Sequence, residues 1–225
     1  MGIRRWVRRD LPVQVSPEPV LEDVQPVGDL QPSPSGESPA KDWDALRTQV
    51  AACEKCALHA SRTQTVFGTG DRTAELLIIG EAPGADEDRQ GEPFVGRAGK
   101  LLDQMLLAAG YERDMVYIAN ILKCRPPNNR NPASDEILAC SGYLAAQIAM
   151  IRPKAILSVG AISATSLLQT DLSVGRLRGE VHYFGERRIP LIVTYHPAYL
   201  LRQPAQKPSA WLDLQLLMRV LRGAA

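Results

Sequence analysis

The sequence predicts an α/β protein, a three-layer αβα sandwich around a central four-stranded, mostly parallel sheet. Two observations predict this fold. Four short apolar segments, typical of buried strands, alternate with longer segments that carry apolar residues at i, i+3 and i+4, the spacing of one helix face. Such alternation is typical of parallel strands joined by crossover helices. The chain has 225 residues, 45% of them hydrophobic and 23% charged, which suits one domain with a sizeable core.

The boundaries of each element follow from where its pattern begins and ends. The expected strands cover residues 75–80, 116–121, 155–160 and 190–195. The expected helices cover residues 42–53, 97–109, 134–151, 161–168 and 209–221. The sequence shows no internal repeat, so we expect a single folded domain over residues 42–225.

The first 41 residues differ in composition from the rest of the chain. Residues 10–41 contain seven of the 17 prolines among Ser, Gly and acidic residues, which is typical of a disordered linker. Ahead of this linker, four arginines between positions 4 and 9 surround Trp6. This basic N-terminus is either a solvated tail or a contact for nucleic acid or a partner protein.

Charge and hydropathy exclude some classes of protein. The net charge is only +1, so any nucleic-acid site must be local rather than a property of the whole surface. No run approaches the roughly eighteen apolar residues of a membrane span. The opening segment MGIRRWVRRD lacks the apolar region of a secretory signal. We therefore expect a cytoplasmic protein that contacts no membrane.

Three polar segments follow expected strands. GEAPGADEDRQGEPFVG starts at Gly80, KCRPPNNRNP lies just beyond Asn120, and HPAYLLR starts at His196. Because ligands bind beyond the carboxyl ends of the strands in such sheets, these segments predict one ligand site at that edge. The glycine-rich segment matches neither GxGxxG nor GxxxxGK[ST], so we expect no nucleotide cofactor.

These segments carry a resemblance to a known family. GEAPGADEDRQGEPFVGRAG, the stretch from Ala119 to Pro132 and HPAYLLR resemble the type 4 uracil-DNA glycosylases, and the cysteines follow the same order and spacing. The resemblance covers roughly residues 43–221. It implies a uracil-DNA glycosylase-like fold and a monomeric, monofunctional hydrolase of base excision repair. Such an enzyme flips deoxyuridine out of DNA, hydrolyses its N-glycosidic bond and leaves an abasic site.

The four cysteines are Cys53, Cys56, Cys124 and Cys140, a C-x2-C pair followed by two distant residues. In a reducing compartment they are more typical of metal ligands or buried apolar residues than of disulfides. Four thiolates suit either zinc or a four-iron four-sulfur (4Fe-4S) cluster, and the spacing alone leaves both open. The resemblance implies a structural 4Fe-4S cluster that uses all four.

The resemblance also implies a uracil site formed by Gly80, Glu81, Ala82, Phe94, Asn120 and His196. Phe94 is expected to stack on the base. Asn120 is expected to donate to uracil O4 and accept from N3–H, a pattern that cytosine reverses. His196 is expected to donate to O2 and stabilise the departing uracil anion. The alternatives are a loop anchor for Phe94, a turn cap for Asn120 and a structural role for His196.

The residue that activates the water has no aspartate to match it in this sequence. Many related enzymes have an aspartate where this chain has Ala82, and like the type 4 family this sequence offers only a backbone amide there. We expect Glu81, helped by Asp88, to act on the water or the sugar cation. Asn129 is expected to assist by holding water or phosphate. Glu87 is interpreted as part of a solvated loop.

Residues after His196 are expected to bind DNA. Leu200 and Leu201, expected on a loop, would fill the gap left by the flipped nucleotide, and Arg202 would contact a phosphate. The alternative for the two leucines is a plain helix core. Arg125 and Arg130 are also expected to face DNA phosphates.

Two other functions stay open at this point. One is a protein that binds and traps uracil-containing DNA without turnover. Relatives that bond covalently to DNA carry an extra basic loop with a histidine, whereas this chain has the compact CRPPNNRNP. The other is an iron-sulfur redox sensor on the same scaffold. The N-terminus around Trp6 is a candidate contact for a repair or replication protein.

Overall fold

The computed structural model describes residues 42–223. The basic segment around Trp6 and the Pro-rich linker lie outside the described residues. The division of the chain at residue 41 therefore stays a prediction.

Six strands form one mixed sheet within residues 42–223. In chain order they are β1 (Thr69–Gly70), β2 (Leu76–Gly80), β3 (Tyr117–Asn120), β4 (Ala155–Val159), β5 (Val181–Phe184) and β6 (Ile189–Thr194). Their order across the sheet is β1-β3-β2-β4-β6-β5. The inner four run parallel, and β1 and β5 pair antiparallel at the two edges.

Eight α-helices accompany the sheet in the described part of the chain. They are α1 (Trp43–Ala51), α2 (Ala85–Gln90), α3 (Arg97–Ala108), α4 (Ser134–Ile151), α5 (Ala161–Leu168), α6 (Val174–Leu177), α7 (Pro197–Arg202) and α8 (Lys207–Leu221). None of these helices is long and apolar enough to span a bilayer. The five helices expected from the sequence are all present, with ends shifted by two residues at most.

Alternate residues of β2 face two separate helical layers. Leu77 and Ile79 pack into one core with α1, α4 and α5. Leu76 and Ile78 pack into the other with α3, α7 and α8. All four side chains are fully buried, because parallel strands between two helical layers have no solvent face. The structure is thus the predicted three-layer αβα sandwich.

The expected number of strands was too low. The four predicted strands are the parallel centre of the sheet, and β1 and β5 extend it to six. β1 has only two residues, and β5 is partly exposed along its length. Edge strands of this kind lack the apolar run that marks a buried strand, so their pattern was too weak to detect.

A buried ion pair holds the carboxyl end of β6. Asp213 on α8 is fully buried and accepts hydrogen bonds from Arg178 Nη2 and Thr194 Oγ1, each at 2.9 Å. Burial raises the pKa of Asp213, whereas these two partners lower it. Because Thr194 ends β6, the segment that follows and carries His196 starts from a position fixed by α8.

Candidate functional site at the carboxyl edge of the sheet

The predicted polar segments meet at one edge of the sheet. Gly80 and Asn120 end the neighbouring parallel strands β2 and β3 and lie opposite each other in register. His196 follows the end of β6 by two residues and caps α7. The three segments expected to form a ligand site therefore lie at the same edge of the sheet, with β4 between β2 and β6.

Gly80 provides the backbone against which two side chains of this site pack. A Cβ atom at Gly80 would lie 2.5 Å from Asn120 Oδ1 and 2.6 Å from Phe94 Cζ, too close for any side chain. The amide of Asn120 and the ring of Phe94 thus both approach the backbone of Gly80. A larger residue at this position would displace the Asn120 amide and the Phe94 ring.

His196 joins the same group through Phe94. The two ring centroids are 5.7 Å apart, and the ring planes are inclined by 29°. On its other side, the imidazole lies against Gly160, where a Cβ would meet His196 Cβ at 3.0 Å. The structure therefore brings Phe94 against Gly80, Asn120 and His196 at one edge of the sheet.

Asn120 carries an unusual polar atom. Its side chain is 2% exposed, and its Oδ1 is the one buried side-chain nitrogen or oxygen in residues 42–223 without a hydrogen-bond partner. Leaving a buried acceptor unpaired costs about 1–3 kcal/mol, so such atoms are rare and often belong to functional sites. A bound ligand with an N–H or O–H group at this position would remove the cost.

The protonation state of His196 follows from its contacts. The backbone N–H of Ala198 donates to His196 Nδ1 at 3.1 Å, so the neutral ring carries its hydrogen on Nε2. Burial lowers the pKa of His196 to about 4, with a smaller lowering by Arg202 and an opposing effect of Glu87. At neutral pH the imidazole is uncharged and presents Nε2–H as a donor.

The loop that carries Phe94 is held by Glu87, a residue that the sequence did not identify as important. Glu87 Oε1 accepts from the backbone N–H groups of Val95 at 2.9 Å and Gly96 at 3.0 Å. Its Oε2 accepts from Gly84 N at 3.1 Å. The interpretation of Glu87 as part of a solvated loop was wrong. The available signal was a glutamate three residues after Gly84, the spacing of a capping box.

Phe94 itself has a strained backbone. Its φ angle is +55°, in the left-handed region that non-glycine residues seldom adopt. Two neighbours keep it there: Arg113 donates to the carbonyl of Pro93, and α3 lies so close that a Cβ at Gly99 would be 1.8 Å from the Phe94 oxygen. Strain of this kind persists only where the surroundings impose it, as they do in binding sites.

The acidic residues near the site differ in environment. Burial raises the pKa of Glu81, which directly follows Gly80, to about 7. Asp88 is 3% exposed and both of its oxygens accept from Thr63 N, at 2.9 and 3.1 Å. Asp88 therefore anchors the Thr63 loop, and its expected help to Glu81 with the water stays a prediction. Ala82 is partly buried against the core on the α1 side of the sheet.

The four cysteines lie around a small cavity. Cys53, Cys56, Cys124 and Cys140 all line it. Cys124 and Cys140 are buried, and burial raises the pKa of the Cys140 thiol to about 12. Arg62 Nη1 donates to Cys124 Sγ at 3.2 Å, and the Lys123 N–H donates to Cys140 Sγ at 3.3 Å.

Donors of this kind stabilise thiolates, so the cavity suits a metal group with four sulfur ligands. The described part of the chain holds no group of three or more His, Cys, Asp or Glu side chains already arranged around a metal position. The fit therefore rests on the shared cavity and on the two donors to sulfur.

The comparisons with known proteins agree with this geometry. The model of the uracil DNA glycosylase superfamily matches residues 67–215. The chain belongs to this superfamily. It is 43% identical over 167 residues to a type-4 uracil-DNA glycosylase of Archaeoglobus fulgidus, covering 72% of this chain and 84% of that protein. It is 40% identical over 181 residues to one of Pyrobaculum aerophilum, covering 78% of this chain and 92% of that protein.

A third type-4 uracil-DNA glycosylase, from Sulfurisphaera tokodaii, is 45% identical over 168 residues, which cover 72% of this chain and 76% of that protein. The resemblance to the type 4 family is thereby confirmed over most of residues 42–223. The three polar segments and all the described site residues between 67 and 215 lie inside the superfamily match.

Leu200, which was expected to bind DNA, does not lie at the surface. Leu200 is 1% exposed and packs in the core against α3, so its expected role as a wedge in DNA was wrong. The segment is the helix α7 rather than a loop, and one face of that helix is buried. Leu201 is 37% exposed, and Arg202 is also exposed. Their roles stay predictions.

Polar side chains in the segment after β3 make more contacts within the protein than expected. Asn129 is exposed on a turn, where its Oδ1 accepts from Arg125 Nε at 2.7 Å. Arg130 binds both oxygens of the largely buried Glu136, at 2.6 and 2.9 Å. The guanidinium of Arg130 is therefore paired within the protein rather than free to bind phosphates. The role of Asn129 stays a prediction.

Lys123 is a further residue that the sequence did not identify. It is 1% exposed, and its Nζ donates to the Asn120 carbonyl at 3.0 Å and to Gln147 Oε1 at 2.7 Å. Burial lowers the pKa of Lys123 to about 8, an effect that the sulfur of Cys140 opposes. Lys123 is also one of the residues that line the cysteine cavity.

Proposed function

We propose that this protein excises uracil from DNA as a monofunctional glycosylase of base excision repair. It flips deoxyuridine out of the strand, hydrolyses the N-glycosidic bond, releases uracil and leaves an abasic site. The observation that carries the proposal is the unpaired, buried Asn120 Oδ1, which shares the space over Gly80 with the Phe94 ring, the neighbour of His196. Membership of the superfamily and the similarity to type-4 uracil-DNA glycosylases support the same reaction.

Base recognition is assigned to Phe94 and Asn120. The Phe94 ring provides a face on which a pyrimidine stacks. Asn120 Oδ1 accepts from uracil N3–H, while its amide nitrogen donates to O4. Cytosine places an acceptor at N3 and a donor at the exocyclic amine, so the same amide faces a mismatch at both atoms. A site built around a buried polar group rejects such a mismatch strongly because its own atoms are left unpaired.

Departure of the base is assigned to His196. As the bond between the sugar C1′ and uracil N1 breaks, its electron pair moves into the base, and negative charge develops on O2. The Nε2–H of the neutral imidazole donates a hydrogen bond to that oxygen. Preorganised donors of this kind contribute about 3–4 kcal/mol when they face the charge that develops in the transition state. The Ala198 N–H keeps the ring in the required tautomer.

The water that completes hydrolysis is assigned to Glu81. In its ionised form this carboxylate stabilises the cationic sugar and orients the water that adds to C1′. Its half-ionisation near pH 7 makes both forms accessible under ordinary conditions. Asn129 is proposed as an assisting residue that holds water or phosphate from the turn after β3.

DNA contact is assigned to the exposed part of α7. Leu201 is the leucine of this helix that reaches solvent, so it is the one available to fill the gap left by the flipped nucleotide. Arg202, next to it, binds a phosphate. Further contacts from the N-terminal 41 residues with DNA or with a repair protein belong to this proposal as well.

The four cysteines are proposed to hold a structural 4Fe-4S cluster. When bound, the cluster supplies a crosslink and takes no part in the hydrolysis. Cys53 and Cys56 follow α1, Cys124 follows β3, and Cys140 is on α4, so a group held by all four ties these elements together. Support comes from the single cavity that the thiols share and from the donors to sulfur on Arg62 and Lys123. No nucleotide cofactor is proposed.

The decisive experiment follows release of uracil from an oligonucleotide that contains a single deoxyuridine. The full-length protein is expected to release it, and His196→Ala is expected to lower the rate by about two orders of magnitude or more. His182→Ala is the matched control, because His182 lies on the edge strand β5. Wild-type rates in the His196→Ala variant would remove the assignment of this residue, and inactivity of the wild-type protein would remove the function.

The same preparation distinguishes the alternatives. A protein that stays on DNA through denaturing electrophoresis traps its target instead of turning over. An aerobic absorbance spectrum and an iron determination on the same sample test the cluster directly. Zinc in place of iron would contradict the cluster proposal and leave the excision assay unaffected.

A further inference from the structure

A cavity of about 720 Å³ lies at the β1 edge of the sheet, and none of Phe94, Asn120 and His196 lines it. Its lining comes from α1, from the segment 62–70 that leads into β1, and from Arg72, residues 90–92 and Tyr117. Ligand sites in proteins typically have volumes of about 300–1,000 Å³. This space, the edge cavity, is therefore large enough to hold a ligand.

The side chains around the edge cavity are mainly basic and polar. Arg47, Arg62 and Arg72 line it, and Glu92 is the one acid among its described lining residues. The whole chain has a net charge of only +1, so three arginines around one cavity are a local concentration of positive charge. The edge cavity therefore suits an anionic ligand.

Two of these arginines are available to such a ligand. Arg47 is exposed and forms no ion pair in the described part of the chain. Arg72 pairs with Asp44 at 3.4 Å, but both side chains are more than half exposed, so this pair contributes little. The Arg72 guanidinium also lies over the ring of Trp43, 5.3 Å from its centroid.

Aromatic side chains complete the lining. Trp43 is partly exposed and contacts the buried rings of Phe67 and Tyr117 edge-on, with centroids 5.3 and 5.2 Å away. All three line the edge cavity. Sites for single-stranded nucleic acid combine a positively charged channel with aromatic side chains. The chemistry of the edge cavity therefore fits the phosphates and bases of one nucleic-acid strand.

The edge cavity shares a segment of chain with the proposed uracil site. Residues 90–92 line the cavity, and Phe94 lies two residues further along the chain. Their Cα atoms are at most about 7.6 Å apart, which equals about two steps of a stacked strand at roughly 3.4 Å each. Gln64, another lining residue, donates to the Arg89 carbonyl at 2.7 Å and fixes this segment against the segment before β1.

We propose that the edge cavity binds single-stranded DNA that flanks the target deoxyuridine, with Arg47 and Arg72 contacting its phosphates. A cavity of this volume admits one strand and excludes a double helix. The inference rests on the proposed function, because it takes Phe94 as the residue on which uracil stacks. It adds a DNA site at the opposite side of the sheet from α7, which follows β6.

The test changes one charge at a time in the full-length protein. Arg47→Ala and Arg72→Ala remove the charges proposed to bind phosphate, and Glu92→Gln removes the acid that lines the same cavity. Arg187→Ala is the matched control, because Arg187 is exposed in the turn after β5, at the other edge of the sheet. Alanine is favourable in helices, so Arg47→Ala on α1 is expected to fold.

Two measurements are made on each variant. Fluorescence anisotropy gives the affinity for a labelled oligothymidine of about 12 nucleotides, within the span of single-strand sites, at several salt concentrations. Uracil release gives kcat and KM on a single-stranded oligonucleotide of the same length and on a trinucleotide with a central deoxyuridine. The trinucleotide has one nucleotide on each side, too few to reach the edge cavity.

We expect Arg47→Ala and Arg72→Ala each to weaken oligothymidine binding by about three- to tenfold. Each should also reduce the slope of log K against log salt concentration by about 0.7, the contribution of one phosphate on a single strand. Glu92→Gln should bind about two- to threefold more tightly, because a repelling charge is removed. Arg187→Ala should bind like wild type.

The kinetic constants should divide in the same way. In the two arginine variants, KM for the longer oligonucleotide should rise in parallel with the loss of affinity, at unchanged kcat. For the trinucleotide, neither constant should change. Effects of equal size on the two substrates would place these arginines at the uracil site instead and overturn the inference.

Wild-type affinity and salt slope in both Arg47→Ala and Arg72→Ala would overturn the inference. An equal loss in Arg187→Ala would also overturn it, because overall charge rather than a site would then attract the DNA. The same dependence on the arginines with a fully double-stranded oligonucleotide would overturn the assignment to a single strand. Each of these results is compatible with uracil release by the wild-type protein, whereas a wild-type protein that binds oligothymidine but releases no uracil overturns the proposed function.

Discussion

The imidazole of His196 lies beside the ring of Phe94, with 5.7 Å between the ring centroids and 29° between the planes. Phe94 belongs to the loop between α2 and α3, and His196 caps α7, so the pair joins segments about a hundred residues apart in the sequence. The proposed function therefore assigns base stacking and stabilisation of the leaving group to two rings in contact.

Replacing Asn120 should separate activity from stability. Asn120→Ala is expected to lower uracil release by about two orders of magnitude. The free energy of unfolding should change by no more than about 1 kcal/mol, because the variant also removes a buried acceptor that has no partner. Urea denaturation and the excision assay on the same sample check both. Wild-type activity, or a loss of stability of several kcal/mol, would show that Asn120 is a structural cap.

Removing the carboxylate of Glu87 should loosen the Phe94 loop. Glu87→Ala leaves the backbone N–H groups of Val95 and Gly96 without their acceptor. We expect a loss of about 2–3 kcal/mol in the free energy of unfolding and at least a tenfold fall in kcat, since small displacements of positioning groups cost that much. Glu92→Ala, an exposed glutamate two residues before Phe94, is the control. Equal effects of the two variants would refute the assignment.

Ionisation of Glu81 should appear in the pH profile. If the carboxylate acts on the water, kcat/KM rises with pH up to about 7 and then levels off, because that profile reports the free enzyme. In Glu81→Gln this rising limb should be absent and the plateau lower by at least about tenfold. His196, with its pKa lowered to about 4, stays neutral across the same range. If kcat/KM of Glu81→Gln still rises with pH in this range, the rise must come from the ionisation of another group.

Glu81 should also reduce stability at alkaline pH. Its pKa in the folded protein is about 7, raised by burial from 4.5, so the unfolded chain releases this proton more readily. The free energy of unfolding therefore falls as pH rises from about 4.5 to 7 and stays lower above that. Glu81→Gln should be more stable than wild type by roughly 1–3 kcal/mol at pH 8 and no more stable at pH 4. Denaturation at the two pH values measures this, with Glu92→Gln as control.

The two leucines of α7 should behave differently. Leu200→Ala is expected to lower the free energy of unfolding by about 2–4 kcal/mol, because its side chain is buried against α3. Leu201→Ala should change stability by less than about 0.5 kcal/mol. Activity of Leu201→Ala on uracil in duplex DNA should fall, while activity on single-stranded DNA is retained, because a wedge is needed only where a helix must be opened. Equal activity on both substrates would exclude the wedge.

Much of the fold was predictable from local patterns. The parallel strands β2, β3, β4 and β6 are buried apolar runs, and α3, α4 and α8 have a strong apolar component, so neighbouring residues suffice to locate them. The positions of Phe94, Asn120 and His196 at one edge also followed, because parallel strands bring their carboxyl ends together. The edge strands β1 and β5 were missed because their side chains are not buried on both faces.

Other properties depended on contacts between distant parts of the chain. The sequence contains two adjacent leucines in α7, and only the packing of α3 against that helix buries Leu200 and exposes Leu201. Lys123 resembles any lysine until α4 supplies Gln147 and the end of β3 supplies the Asn120 carbonyl. Local patterns locate helices and buried strands because the periodicity of their side chains is local. Burial, pKa and the partners of a polar group are set by whichever segments lie next to it in three dimensions.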